Sequence, residues 1–575
     1  MLFSSLFAKT AEYEKLAHAL SAPGACALFG LPGSGRAMVY AALAKETGRF
    51  LCIATPGEAE ATRFAGDLNA LGIPTAVFPA RDYVLRPIEG TAREYEYRRL
   101  SVLGDIVGGR LQAVCVPDEG LTQYTTPRAE FCNNTRTLHP GDTVPRTELT
   151  ALLYNAGYAR RAQVDGPGQF SIRGDIVDLY APDMKLPVRM EFWGDEIDTM
   201  HTFDLATQRR EDPIEKIYVS PAREVLFGSP AEAAELLRAF IKKFRGKKRT
   251  ALEACLATEL AQLDGGALPV NMDKYLAVRY PQPATLLDYF DDPLLVLEEP
   301  ASLREAERAT TYRRGEEISA LLQDGVLAAG LDNLYAENGY LWAQAANHRT
   351  ICAENFARSM PDIPLKDIVN APAHTLPAWG GEGTSLLEDL QPLCNGGAAV
   401  TVLAGTQRAA AGLAADLRTK GLLVTTDPDA APGAGLVQVL PGQLSAGCSV
   451  PFAKYALFTA RAFGISSTQK KKKRNKDALN SLSEIAVGDL VVHQNHGIGR
   501  YAGIQRMAVQ GVTKDYLRIE YDKKDVLYVP VTQLDLLSRY TAPNDSDNVK
   551  LSRLGGSDWA KTRKKVKAAT EQMAK

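Results

Sequence analysis

Net charge and paired cysteines are the two things this chain has least of. Its 66 Lys+Arg stand against 68 Asp+Glu, a formal net charge of −2 over 575 residues, so no global field attracts a polyanion and any nucleic-acid contact must come from local patches. Eight cysteines (Cys26, Cys52, Cys115, Cys132, Cys255, Cys352, Cys394, Cys448) include no CxxC pair, which argues against a disulfide frame and a thiolate zinc site and fits a reducing compartment. No apolar run approaches the ~20 residues a membrane-spanning helix needs. The apolar start, MLFSSLF, lacks the length, basic flank and cleavage site of a secretory signal. An intact GxxxxGK[ST] loop and a DExH box are also missing. The expectation is a cytoplasmic protein with no membrane contact, no bound cofactor or metal, and no catalytic group of its own.

What is present suggests several domains, since 575 residues with 45% hydrophobic and 23% charged side chains make an ordinary multidomain globular chain. Near the start, strands at Ala25 to Phe29, Phe50 to Ala54 and Thr75 to Phe78 alternate with helices from about Arg36 and through Glu58 to Leu71, the pattern of a parallel α/β sheet. The first strand runs into Gly30-Leu31-Pro32-Gly33-Ser34-Gly35-Arg36-Ala37. This turn has the glycine placement of a phosphate-binding loop, with Arg36 where that loop has lysine and Ala37 where it has the magnesium-binding hydroxyl. Backbone N–H groups could still attract an anion, but magnesium-bound ATP should bind poorly and hydrolysis should be absent. Leu294 to Glu299 reads as a buried strand ending in Glu298 and Glu299, the position of a degenerate Walker B motif.

A β-rich stretch interrupts this frame. Strands are expected at Gln169 to Tyr180, Pro187 to Trp193 and Glu196 to Thr202, the last two joined by a Gly194-Asp195 turn. Farther on, Ala399 to Leu403, Val437 to Leu440 and a helix at Gln407 to Lys420 suggest a second small α/β domain. Then comes a like-charge run, Lys470, Lys471, Lys472, Lys473 and Arg474, which should stay extended as a linker and could touch nucleic-acid phosphates weakly. From Val487 to Tyr540, short β signals at Leu490 to Val492, Gly503 to Val509, Tyr516 to Tyr521 and Val526 to Pro530 surround turns at Gln510-Gly511 and Asp522-Lys523, reading as a small barrel with an open edge. His493 and His496 lie in a glycine turn without the neighbours that catalysis or metal binding needs. Ser557-Asp558-Trp559 caps a basic helix carrying Lys561, Arg563, Lys564, Lys565 and Lys567.

Two blocks carry a family resemblance. HGIGRYAGI, KDYLRIEY and LYVPVTQLDLLSRY resemble the RNA-polymerase-interacting domain shared by CarD-type regulators and the bacterial transcription-repair coupling factors. The resemblance implies a Tudor/CarD-like barrel whose edge strand, Ile504 to Val509, engages the polymerase β subunit through Arg506, Met507 and Val509. GQFSIRGDIVDLY and VRMEFWGDEID are similar to the part of the excision-repair protein UvrB that binds UvrA. It implies UvrA contacts at Arg160 and Arg173 with Phe170 beside them; a further arginine of UvrB is replaced here by Ser171. The blocks stand in the order of the coupling factors, and LGGSDW opens the helix that leads, in that family, into an ATP-driven DNA translocase. The chain is therefore read as the N-terminal half, with DNA engaged mainly through the translocase module that these residues lack.

The expected fold is multidomain α/β. Residues 1–120 form a UvrB-like first lobe with the degenerate loop, 121–215 the β-rich UvrA-binding insertion, 216–345 the completion of the lobe, 346–463 a small α/β domain, 464–484 the basic linker, 485–545 the barrel and 546–575 the linker helix. The expected function is an adaptor of transcription-coupled nucleotide excision repair that joins stalled RNA polymerase to UvrA. The alternatives are a UvrB-like damage-binding ATPase and a CarD-like transcription regulator.

Overall fold

The structure, a computed structural model, describes residues 10–86, 93–205, 207–360, 363–376, 378–379, 383–431, 433–460, 488–493, 496–509, 512–522, 525–530, 537–539 and 551–552. The basic run Lys470 to Arg474 and the helix expected after Ser557 lie outside these residues. The chain divides into two compact units, a large one holding most residues up to 464 and a small one holding the C-terminal sheet.

The large unit is built on a seven-stranded parallel sheet in the order Leu365–Asn370, Gly24–Phe29, Arg349–Glu354, Leu294–Glu298, Leu51–Thr55, Ala113–Pro117, Thr75–Val77. The strands Gly24–Phe29, Leu51–Thr55, Ala113–Pro117 and Leu294–Glu298 are buried at every position, as a parallel sheet covered on both faces requires. Helices Gly33–Thr47 and Glu58–Ala70 pack on one face through Met38, Leu43, Phe64 and Leu68. Glu94–Val107 and Tyr340–Asn347 pack on the other through Leu100, Leu103 and Leu341. Arg349–Glu354 and Leu365–Asn370 correct the expected boundary at residue 346: they flank Gly24–Phe29 and belong to this first sheet. Proximity along the chain favours grouping them with Ala399 to Leu403, but Arg349–Glu354 pairs on both sides with strands of the first sheet, Gly24–Phe29 and Leu294–Glu298.

A second sheet starts later, in the order His374–Leu376, Gly447–Val450, Tyr455–Thr459, Ala399–Leu403, Leu436–Leu440, Leu423–Thr425, with helix Gln407–Thr419 against it. Leu444, Cys448, Val450, Tyr455 and Leu457 share one core with Ala37, Met38 and Leu43 of the first layer.

In the β-rich insertion, Ala159–Arg160, Gln169–Arg173, Ile176–Tyr180, Val188–Trp193 and Glu196–Phe203 neighbour one another in that order. The single strand expected from Gln169 to Tyr180 is in fact a hairpin. Arg173 pairs with Ile176, and Gly174 takes φ +60° between them, a conformation that costs glycine little and other residues more. A helical hairpin, Pro230–Lys242 and Gly246–Asp264, comes next. Ser229 caps the first helix by accepting the N–H of Glu232 at 3.1 Å.

The small unit carries a five-stranded antiparallel sheet in the order Val526–Pro530, Val512–Glu520, Gly497–Val509, Leu490–His493, Leu537–Arg539 around Val491, Tyr501, Leu517, Ile519 and Val529. Its order is open among the described residues: the structure gives an antiparallel sheet where a small barrel with an open edge was expected. The strand expected to begin at Gly503 begins at Gly497 and changes register between Tyr501 and Ile504.

Candidate functional site

The loop after the first strand is short: Gly30, Leu31 and Pro32 alone separate the strand from the next helix. Gly30 turns at φ +90°, and the helix begins at Gly33, three residues earlier than the expected start near Arg36. Pro32 stands at the helix N-cap with the fixed φ of proline, −68°, and its carbonyl accepts the N–H of Arg36 at 2.9 Å. Gly33, Ser34 and Gly35 are thus wound into a helical turn instead of a wide nest of free amides.

Arg36, the substitute for the loop lysine, is turned inward. Its Nη2 lies 3.3 Å from Glu298 Oε2 and its Nη1 2.8 Å from Glu299 Oε1. Tyr40 donates its hydroxyl to Glu298 Oε1 at 2.5 Å. The Arg36 and Glu298 side chains are 3% and 2% exposed. Burial opposes the Arg36 charge, but Glu298, Tyr40 and Glu299 hold its pKa above the usual value; burial pushes the Glu298 carboxyl up, against the pull of Arg36 and the Tyr40 hydrogen bond. Glu299 reaches Arg36 from a left-handed backbone conformation, φ +50°, which costs a non-glycine residue about 1 kcal/mol. The second sheet roofs this corner: Ser445 donates its N–H and hydroxyl to Asp67 at 2.7 and 2.6 Å, and Ser34 and Arg36 are 1% and 2% exposed beneath it. Both carboxylates at the Walker B position and the cation at the loop position are therefore engaged with each other.

The insertion sheet is arranged differently. Phe170 pairs with Leu179, and Ile172 with Val177, on the core face; Ser171 pairs with Asp178, and Arg173 with Ile176, on the opposite face. Asp178, fully buried, accepts from Arg173 Nη2 at 2.5 Å and from Arg189 Nε and Nη2 at 2.7 and 2.9 Å. Hydrogen bonding to Asp178 leads the causes that raise the Arg189 pKa. The side chain of Arg189 is 12% exposed and that of Arg173 45%. Two guanidinia thus share one carboxylate, and the outer one faces solvent.

Phe170 corrects the sequence reading: it is 0% exposed, stacked edge-on against Tyr154 at 5.4 Å within the insertion core, and so supports the sheet from inside instead of offering a surface contact. Arg160 is exposed on the edge strand in register with Phe170, away from the face of Arg173. The structure does not bring the two arginines together.

Sequence reasoning missed three residues. Asp178 and Arg189 could have been found, because alternation in VRMEFW places Arg189 on the polar face and Asp178 is the one carboxylate within IVDLY. Trp193, 84% exposed, ends the strand on the Arg189 and Glu191 side beside the Gly194-Asp195 turn. A tryptophan this exposed is uncommon, and strand alternation alone does not announce it.

In the C-terminal sheet, Arg506, Met507 and Val509 belong to strand Gly497–Val509, paired through their backbones with Asp515, Lys514 and Val512. Leu490–His493 pairs only with residues 497–500 of that strand, so Ile504 to Val509 has a strand on one side and no second strand partner among the described residues. His493 is 5% exposed with its ring 4.7 Å from that of His496; burial, reinforced by His496, pushes it down to about 4. Among the described residues, no group of three or more His, Cys, Asp or Glu could hold a metal, and no helix is long and apolar enough to cross a membrane.

Comparison with known proteins agrees with both recognition blocks. Residues 137–225 match the UvrB interaction domain and residues 485–541 the CarD-like/TRCF RID domain. The transcription-repair-coupling factor of Bacillus subtilis (strain 168) is 29% identical over 563 residues, covering 95% of this chain and 48% of the relative. Those of Staphylococcus haemolyticus (strain JCSC1435) and Staphylococcus aureus (strain MRSA252) are 28% and 27% identical, each covering 86% of this chain and 43% of the relative. The chain spans about half the length of the curated relatives it matches. With matches to the UvrB interaction domain and the CarD-like/TRCF RID domain in one polypeptide, the chain is similar along nearly its whole length to the transcription-repair-coupling factors.

Proposed function

We propose that this chain acts by docking: the insertion sheet captures UvrA, and strand Ile504 to Val509 pairs with the β subunit of RNA polymerase. The observation that carries the UvrA half is the Arg173–Asp178–Arg189 cluster within the UvrB interaction domain. A buried carboxylate fixes the inner arginine bidentately and steadies the outer one, so a planar fork is held ready for an acidic partner and less side-chain entropy is lost on binding. The polymerase half rests on the side of residues 504–509 that has no strand partner among the described residues, which suits strand addition, with Arg506, Met507 and Val509 setting specificity and main-chain bonds supplying affinity.

The phosphate-loop corner is given no ATPase role, because its cation and both carboxylates are already paired under a roof. Calorimetry with UvrA and with polymerase β, separately, tests the reading. Arg173→Ala should weaken UvrA uptake with polymerase uptake unchanged, and Met507→Arg should do the reverse; a variant that lowers both, or neither, overturns the assignment. Tight magnesium-dependent ATP uptake by the chain would overturn the closed-corner reading.

A further inference from the structure

The turn between helices Pro230–Lys242 and Gly246–Asp264 carries Lys242, Lys243, Arg245, Lys247, Lys248 and Arg249, six cations in eight residues, all exposed. In a chain of net charge −2 this is a strong local concentration. Arg249 pairs with Glu253 at 2.8 Å; the other five make no ion pair among the described residues.

The fold gains little from this arrangement. The second helix has no side-chain cap, no acidic residue in its first turn, and Lys247, Lys248 and Arg249 there instead, at the end of a helix where cations are disfavoured. The apolar work of the hairpin is done elsewhere, by Leu237 and Ile241 on one helix and Leu252, Leu256 and Leu263 on the other. Side chains that break a local rule without a structural return are candidates for function.

We infer that this turn is a binding site for the phosphodiester backbone of duplex DNA, read without sequence preference. The ligand must be polyanionic, because five unpaired cations repel one another until counter-charges arrive. A protein surface fits less well: between Lys242 and Arg249 the one apolar side chain, Phe244, turns inward against Phe240 at 5.1 Å, and protein interfaces are poor in lysine and built around buried aromatic or apolar anchors. The same inward turn removes the stacking platform that single strands use. What remains is a knob of point charges, which suits backbone phosphates and carries no base readout.

The test uses the full chain, a labelled 20-base-pair duplex and a salt titration from 50 to 200 mM. Replacing Lys242, Lys243, Lys247 and Lys248 together by Gln should weaken binding at least ~10-fold at the lowest salt and reduce the slope of log affinity against log salt by about 3. Arginine at the same four positions should keep affinity within about twofold of the parent, which separates lost charge from lost fold. Gln at Lys470, Lys471, Lys472 and Lys473 should leave the contribution of the helical turn in place. The inference is overturned if the four-Gln variant binds as the parent does, if the arginine variant fails to bind, or if poly-glutamate of matched charge displaces the protein as well as unlabelled duplex does.

Discussion

Arginine does opposite work in the phosphate-loop corner and in the insertion sheet, and the difference is one of stoichiometry and exposure. In the corner, one guanidinium at 3% exposure meets two carboxylates, one of which also accepts a tyrosine hydroxyl. In the sheet, two guanidinia meet one carboxylate and the outer arginine stays 45% exposed. The first arrangement commits the cation to carboxylates inside the fold; the second leaves surplus positive charge facing water. On the proposed function, a spent corner and a docking face differ in how many acceptors each arginine already has.

The most severe way to break this contrast is to empty the corner. Arg36→Met should destabilise the large unit by about 3–5 kcal/mol, because Glu298 is left buried without its partner; chemical denaturation measures it, and a loss below ~1 kcal/mol would mean the pair is not holding the corner. Restoring the letters of the motif with Arg36→Lys and Ala37→Thr should not create ATP uptake, since the helix still begins at Gly33 under the same roof. In the sheet, Asp178→Asn should cost about 2–3 kcal/mol of stability as two arginines lose a shared acceptor. Combined with Arg173→Ala, it should weaken UvrA uptake by less than the sum of the single effects, as a double-mutant cycle would register.

Trp193→Ala should lower UvrA affinity about tenfold while leaving the melting temperature unchanged, given its 84% exposure on the proposed docking sheet; an unaltered affinity would confine the footprint to the arginines. The smallest effect is expected in the C-terminal sheet. Unfolded, His493 takes a proton near its ordinary pKa of 6.5, whereas in the fold burial and His496 hold it down to about 4. Its contribution is thus intact above pH 6.5 and is lost progressively as pH falls from there toward 4, about 1 kcal/mol of it by about pH 6. Melting of parent and His493→Leu across that range should give a shallower acid loss for the variant.

Much of the fold is legible in the sequence because periodicity and motif spacing are local. The buried strands Gly24–Phe29 and Leu294–Glu298 announce themselves as apolar runs, and Arg36 and Ala37 as departures from a known loop. What escapes depends on distant residues. No local pattern says that Arg349–Glu354 inserts beside Gly24–Phe29, because parallel partners can lie hundreds of residues apart. The hairpin at Gly174-Asp175 is signalled by a dipeptide favoured in tight turns, yet the flanking β-branched residues read as one strand and mask it. Phe170 is misread because the family resemblance offers it as a contact beside Arg160 and Arg173, whereas strand alternation sends it inward with Ile172, opposite Ser171 and Arg173.

The shared core of the two α/β sheets has a practical consequence. Cutting the chain at Ala373, which a sheet-by-sheet division would suggest, would uncover Leu43 and its neighbours where Leu444, Val450 and Tyr455 now pack, and would strip Asp67 of both its donors. Each half so produced should be sticky and short-lived, whereas a protease offered the intact polypeptide should spare that junction.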